Sequence, residues 1–287
     1  MTSDRSNLYP DYADLSVQQV GRVLRISHNR PAQRNAESTR LLDELDDALR
    51  IAKQDESVGC VIISGEGDHF SAGHDLKEAI ADRGHYSVEQ RWAYEEQRYF
   101  GYAMNIWDFP KPTIAEVRGA CMGGAFMVAN MCDIVLASED AFFSDPVVLS
   151  LAAASVEVLV HPYVMGLRRA KEFLFTGERL SAQEGYRIGM INKVLPGEEL
   201  RPAAMAMAEK MAAAPPFAVA VTKRSLNRTA DLLGFRTALS AHFETHQITH
   251  VTQETKEIRA RGADSLIRRG SAAAKSEAAE SASQPVA

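Results

Sequence analysis

Two glycine-containing stretches decide how this chain folds: Phe70-Ser71-Ala72-Gly73-His74-Asp75-Leu76 and Gly119-Ala120-Cys121-Met122-Gly123-Gly124-Ala125. Each follows an apolar run that reads as a buried strand, and each opens a segment that reads as a helix. The first strand, Cys60-Val61-Ile62-Ile63-Ser64, is apolar without alternation, as expected where both faces of a parallel sheet are covered. The second, Thr113 to Val117, follows Pro110 and Pro112. A strand-to-helix turn with glycine can leave backbone N–H groups unpaired and aimed at one spot. Two such donors make an oxyanion hole. Taken alone, the turn at Gly73 also describes an ordinary connection. At the second turn, Gly123-Gly124 adds close approach without side chains, and the following helix adds its positive dipole end.

Working outward, Val20 to Ser27 alternates as a strand, and Leu41, Leu42, Leu45, Ala48, Leu49 and Ala52 predict an amphipathic helix over residues 37–54. Residues 87–107 predict one long helix, and residues 124–132 a short buried one. Ile134 to Ser138 and Ala141 to Ser144 read as strands. Strand, turn and helix alternate, so the fold class is α/β, with short strands that suit a sheet folding over on itself. Helices dominate beyond Val156. Ser181-Ala182-Gln183-Glu184 has the form of a capping box. The expected organisation is a core over residues 15–210, a C-terminal helical region over 211–268 making subunit contacts, and a disordered tail over 269–287, where Ala, Ser, Glu, Lys and Pro take over.

The 287 residues are 46% hydrophobic with a formal net charge of -6, enough for a full core and with no long basic run, so nucleic acid is not an expected partner. No stretch suits a membrane span, and the start lacks an apolar signal core. The three cysteines lie in apolar stretches without metal-like spacing, which predicts reduced thiols and a cytoplasmic setting.

Taken in order, F-S-A-G-H-D-L, P-K-P-T-I-A-E-V-R-G, G-G, C-D-I-V-L-A-S, A-F-F-S-D-P and the later A-K-E-F-L-F-T-G-E-R-L-S-A-Q-E-G-Y-R-I-G-M-I-N-K-V-L-P resemble the crotonase, or enoyl-CoA hydratase/isomerase, superfamily over about residues 20–227. The resemblance implies a spiral of ββα units with a C-terminal helical region, a homotrimer or homohexamer, and an acyl-CoA thioester substrate in fatty acid metabolism. Coenzyme A is then part of the substrate, with no separate cofactor and no metal. It also implies that the backbone N–H groups of His74 and Gly124 hold the thioester oxygen while an enolate forms. Ala32, Gln33 and Arg34 match the loop lining the CoA nucleotide, and Ala72, Asp75 and Leu76 match positions near the adenine and the pantetheine arm.

The sequence departs from the resemblance at the two hydratase glutamates. Met127 and Val147 stand at those positions, and neither can move a proton. Glu157, in an otherwise apolar stretch, is a candidate proton carrier whose pKa burial should raise. The other reading is a structural ion pair with Arg168 or Arg169. His161, four residues on, shares a face with Glu157 if both are helical; otherwise it is a packing histidine. Asp145 is a further candidate acid, and its other reading is a residue that caps or braces the turn before Pro146. His242, His246 and His250 fall on one helix face, without a local acidic ligand, and read as a packing face or subunit contact rather than a metal site. The function these features predict is a lyase or isomerase acting on acyl-CoA. Double-bond isomerisation, thioester hydrolysis and non-catalytic acyl-CoA binding stand as alternatives.

Overall fold

A computed structural model describes residues 8–273. The chain opens with a hairpin, β1 (Leu15–Val20) and β2 (Val23–His28), turned at Gly21, whose φ is +56°. The strand read over Val20 to Ser27 therefore spans the end of β1, the turn and most of β2, and β1 is an additional edge strand. After a 3₁₀ turn at Pro31–Gln33 comes helix α1 (Thr39–Gln54), started by Ser38, whose hydroxyl accepts from Leu41 N–H. Then follow β3 (Cys60–Gly65), α2 (Leu76–Arg83), α3 (Val88–Glu95) and α4 (Tyr102–Trp107). The long helix expected over residues 87–107 runs without a break from residue 88 to residue 107, and residues 96–101 wind as a wider π-type turn between α3 and α4. Such insertions re-aim side chains and often sit at functional sites.

β4 (Thr113–Val117), β5 (Ala120–Met122), α5 (Gly124–Met131), β6 (Ile134–Ser138), β7 (Phe142–Ser144) and α6 (Val147–Leu151) form two consecutive ββα units. Helices α7 (His161–Met165), α8 (Leu167–Thr176) and α9 (Ala182–Arg187) follow, with short strands β8 (Leu180–Ser181) and β9 (Lys193–Leu195) around α9. The remainder is helical: α10 (Gly197–Ala212), α11 (Pro216–Leu232), α12 (Phe235–Thr249), α13 (Gln253–Arg259) and α14 (Ala263–Ala273). α14 carries residues 269–273, so the disordered tail expected from 269 does not begin there; residues 274–287 lie outside the described residues.

The large sheet runs β1-β2-β3-β4-β6-β9, parallel apart from the first pair; the small one runs β5-β7-β8. An isolated bridge from Ser71 to Cys121 extends the small sheet to the first glycine turn. β3 with Ser71 and α2, β4 with β5 and α5, and β6 with β7 and α6 are thus three turns of one spiral.

Both faces of the large sheet are covered, as the unalternating strands predict. Val23, Cys60, Ile62, Ile114 and Leu136 pack against Leu200, Ala204 and Ala208 of α10. Leu24, Ile26, Val61, Ile63 and Ala115 belong to the main core with the inward stripe of α1 and all the apolar side chains of α5. Ser181 accepts from Glu184 N–H as a cap should, but the Glu184 carboxylate turns to Arg169 and Arg187 instead of closing the box. Among the described residues no helix is long and apolar enough to cross a membrane.

Candidate active site

The spiral brings the two glycine turns together. Ser71 N–H donates to Ala120 O at 3.0 Å and Met122 N–H donates to Ser71 O at 3.1 Å. Gly73 has φ +83°, and a Cβ there would lie 2.4 Å from Met122 O and 3.3 Å from Gly124 N. Only glycine fits so tight a junction. Gly123, at φ +53°, turns the chain into α5, which begins at Gly124. Among the described residues neither His74 N–H nor Gly124 N–H has a backbone acceptor.

The loop at Ala32, Gln33 and Arg34 is exposed and abuts the first turn, since Ala72 N–H donates to Arg34 O at 3.0 Å. Asp75 caps α2 and lies 3.1 Å from Arg30, and Leu76 opens the helix. The structure thus gathers Ala32, Gln33, Arg34, Ala72, Asp75 and Leu76 on one edge of the first turn.

The side chain of His74 was not part of the sequence reading, and it holds the centre of the site. Its ring lies over the Gly124 Cα: a Cβ at Gly124 would fall 2.2 Å from His74 Cε1. The space freed by glycine is occupied by imidazole. Tyr99, delivered by the π-type turn, stacks on the same ring at 3.8 Å between centroids. Two carboxylates flank it. Glu37 Oε2 is 3.0 Å from Nδ1, and Glu157 Oε2 is 3.2 Å from Nε2. Glu37 is placed by backbone pairing, its N–H donating to Gly73 O and its O accepting from Asp75 N–H. Burial alone would lower the His74 pKa, but Glu157 and then Glu37 outweigh it and raise it to about 10. His74 is an imidazolium at neutral pH.

Glu157 therefore differs from its expectation. Burial does push its pKa up, but the His74 charge and the His74 and His246 bonds hold it well below the usual carboxylate range. It pairs with neither Arg168 nor Arg169; Arg169 is bound to Glu184. Nor does it share a helix with His161. Residues 152–160 are irregular, with positive φ at Ala152 and Ser155, and α7 starts only at His161. His161 is fully buried, 3.3 Å from Asp145 and stacked on Phe126 at 4.4 Å, so it belongs to the packing and not to the Glu157 pair. Asp145 does brace its turn, accepting from Val147 N–H at 3.1 Å and Ser155 Oγ at 2.7 Å.

Behind Glu157 the ionisable chain continues into the C-terminal helices. His246 Nε2 is 3.5 Å from Glu157 Oε1, 3.7 Å from Glu95 Oε2 and 2.9 Å from His250 Nε2. Gln247 Nε2 donates to Glu95 Oε2 at 2.6 Å. The histidine face of α12 is therefore turned inward, with His242 against Val156 O at 2.8 Å. Glu95, His246 and His250 offer three ligand atoms within 4.8 Å of one another. They do not fit a metal. The Arg259 guanidinium, a donor only, contacts His250 Nδ1 at 2.5 Å. The neutral ring then carries its proton on Nε2, the atom that would have to ligate.

Met127 is buried between α1 and α4, and Val147 starts α6. His74, Glu37 and Glu157 thus form the charged cluster beside the paired turns.

The sequence profile described as Enoyl-CoA hydratase/isomerase matches residues 18–271. The chain belongs to that family. A Mycobacterium tuberculosis protein named as an enoyl-CoA hydratase is 38% identical over 247 residues, covering 80% of this chain and 78% of the relative. A crystal structure of a Mycobacterium smegmatis protein, titled a probable enoyl-CoA hydratase, superposes with a TM-score of 0.78 at 40% identity, over 83% of this chain and 95% of that one. An enoyl-CoA hydratase/isomerase from Xanthobacter autotrophicus does so with a TM-score of 0.83 at 34% identity, over 96% and 100%. The crotonase fold and membership in a family of acyl-CoA enzymes stand on these matches.

Proposed function

We propose that the chain is an enolate-stabilising acyl-CoA enzyme in which the N–H groups of His74 and Gly124 hold the thioester oxygen. Glu157 moves the proton, and the His74 imidazolium stands beside both. The observation that carries this reading is the 3.2 Å contact between His74 Nε2 and Glu157 at the paired turns. As the thioester is deprotonated at its α carbon, negative charge collects on the carbonyl oxygen. Two fixed amide donors stabilise that charge, each by about 3 kcal/mol. The His74 imidazolium offsets part of the charge of its two flanking carboxylates and holds the Glu157 carboxylate in place through Nε2.

With Met127 and Val147 at the usual glutamate positions, nothing there activates water. One proton carrier, Glu157, suits a proton taken from one carbon and returned to another, so double-bond isomerisation is the second reading. Ala32, Gln33, Arg34, Ala72, Asp75 and Leu76 form the edge that would take the nucleotide and pantetheine. The family resemblance and the exposed Phe217, Leu226, Leu232 and Leu233 on and just after α11 support association into a trimer or a pair of trimers. The three buried cysteines, all unbridged, suit a reducing cytoplasm, and a place in fatty acid metabolism rests on the family match alone.

The test is a panel of enoyl- and acyl-CoA thioesters with binding and turnover measured side by side. Turnover of one or more members supports the enzyme. Tight binding of thioesters with turnover of none assigns a non-catalytic acyl-CoA-binding protein, and release of free CoA assigns hydrolysis.

A further inference from the structure

On the far side of His250 lies a cavity of about 350 Å³, walled by the start of α3, the end of α12 and Lys256 and Arg259 of α13. Its lining carries three cations, Arg91, Lys256 and Arg259, and no carboxylate. Arg91 is partly neutralised by Glu95 beneath it, at 3.2 Å. Among the described residues no carboxylate pairs with Lys256 or Arg259. Arg259 spends one N–H on His250 Nδ1, and the rest of its planar fork remains uncommitted. Burial, and next the neighbouring Arg91 charge, push the Arg259 pKa down to about 10, with Glu95 opposing. Two guanidinium groups and a lysine around the single Glu95 carboxylate leave an excess of positive charge, which favours an anion. The first turn of α3 opens on the same space through Ser87 and Val88, adding its positive dipole end.

We propose that this cavity binds a small oxyanion, a phosphate or a carboxylate group, held by Arg259 and Lys256 with Arg91 behind them. The planar Arg259 fork takes two oxygens side by side, and Lys256 adds a mobile point charge. The site is separate from the thioester cradle: none of Ala32, Gln33, Arg34, Ala72, Asp75 or Leu76 lines it. The inference is independent of the enzymatic reading, since it needs neither the oxyanion hole nor Glu157.

Isothermal titration of the full chain with inorganic phosphate and with succinate, at fixed ionic strength, tests it. Saturable one-site binding of either anion is expected, weakened at least tenfold in Arg259→Gln and in Lys256→Gln and unchanged in Lys193→Gln, a surface lysine on β9. Preference for phosphate or for succinate tells which oxyanion the site takes. Repeating the titration with saturating CoA separates the two sites: unchanged affinity supports the proposal, and loss of phosphate binding to CoA overturns it. Absence of saturable binding for both anions overturns it, as does binding unaltered in the variants. Lys256 is exposed, so its variant keeps the test alive if Arg259→Gln does not fold.

Discussion

Replacing Glu157 by glutamine separates the catalytic from the structural role of this carboxylate. The side chain keeps its size and one carbonyl oxygen that can still accept from His74 Nε2, 3.2 Å away. It loses the charge and the ability to take a proton. Glu157 is 4% exposed, so the change leaves His74 beside Glu37 alone and removes a charge partner of His246. Breaking a buried pair from one side typically costs 3–5 kcal/mol, and the retained acceptor places this case at about 3. For a chain of this size that corresponds to a fall in Tm on the order of 6–12 °C. The proton-transfer role adds a separate loss of about 10²–10⁴ in kcat, equivalent to ~3–5 kcal/mol of barrier, with acyl-CoA affinity nearly unchanged. The assay is steady-state turnover of the best thioester from the panel, at a temperature where circular dichroism shows the variant folded, with calorimetric binding alongside. A folded variant with the wild-type kcat and a lowered Tm would refute the catalytic role and leave a structural ion pair.

Further consequences follow from the same geometry. His74 stays protonated to about pH 10 in the folded chain, against about 6.5 in the unfolded one, so its stabilisation is complete below pH 6.5 and is lost as the pH climbs through about 10. Glu157, held well below 4.5, contributes fully above that value and loses its contribution as the pH falls further. Thermal unfolding should therefore show a plateau between about pH 4.5 and 6.5, then decline by about 1.4 kcal/mol per pH unit for this one proton; a flat profile from 6.5 to 9 in the wild type contradicts the assignment. Gly124→Ala keeps the amide but drives its Cβ to within 2.6 Å of His74 Cε1, His74 Nδ1 and Glu37 Oε2; a crystal structure should show the ring displaced, and turnover should fall at least tenfold. Crotonyl-CoA hydration should be slow, because Met127 and Val147 cannot activate water; kcat/KM near 10⁸ M⁻¹s⁻¹ would overturn the role given to those positions.

The parts of this fold that were legible in the sequence are those set by short-range period and by glycine. The apolar stripe of α1 fixed its extent to within two residues, and Gly73 and Gly123 need positive φ for local reasons. Their meeting follows from the spiral connection, which the family resemblance supplied. What stayed hidden was side-chain company from distant segments. Glu37 lies between a loop and a helix cap with no apolar pattern around it; only the pairing of its backbone with Gly73 and Asp75 sends its carboxylate to His74. For Glu157 the local sequence reports burial, which predicts a raised pKa. The two histidines that reverse the sign arrive from the first glycine turn and from α12. His161 was paired by helical spacing with Glu157, and the irregular residues 152–160 remove that spacing. His246 and His250 were visible as one helix face, whereas Glu95, their partner on α3, reads in sequence as an ordinary polar helix position.

The most direct test of the central claim is a crystal structure with a slowly reacting acyl-CoA bound. The account predicts the thioester oxygen within 2.7–3.1 Å, to about a tenth of an ångström, of both the His74 and Gly124 amide nitrogens, with a Glu157 oxygen reaching the α carbon or the carbon two bonds beyond it. A thioester oxygen bonded elsewhere, with these two amides facing solvent or the His74 ring, would contradict it.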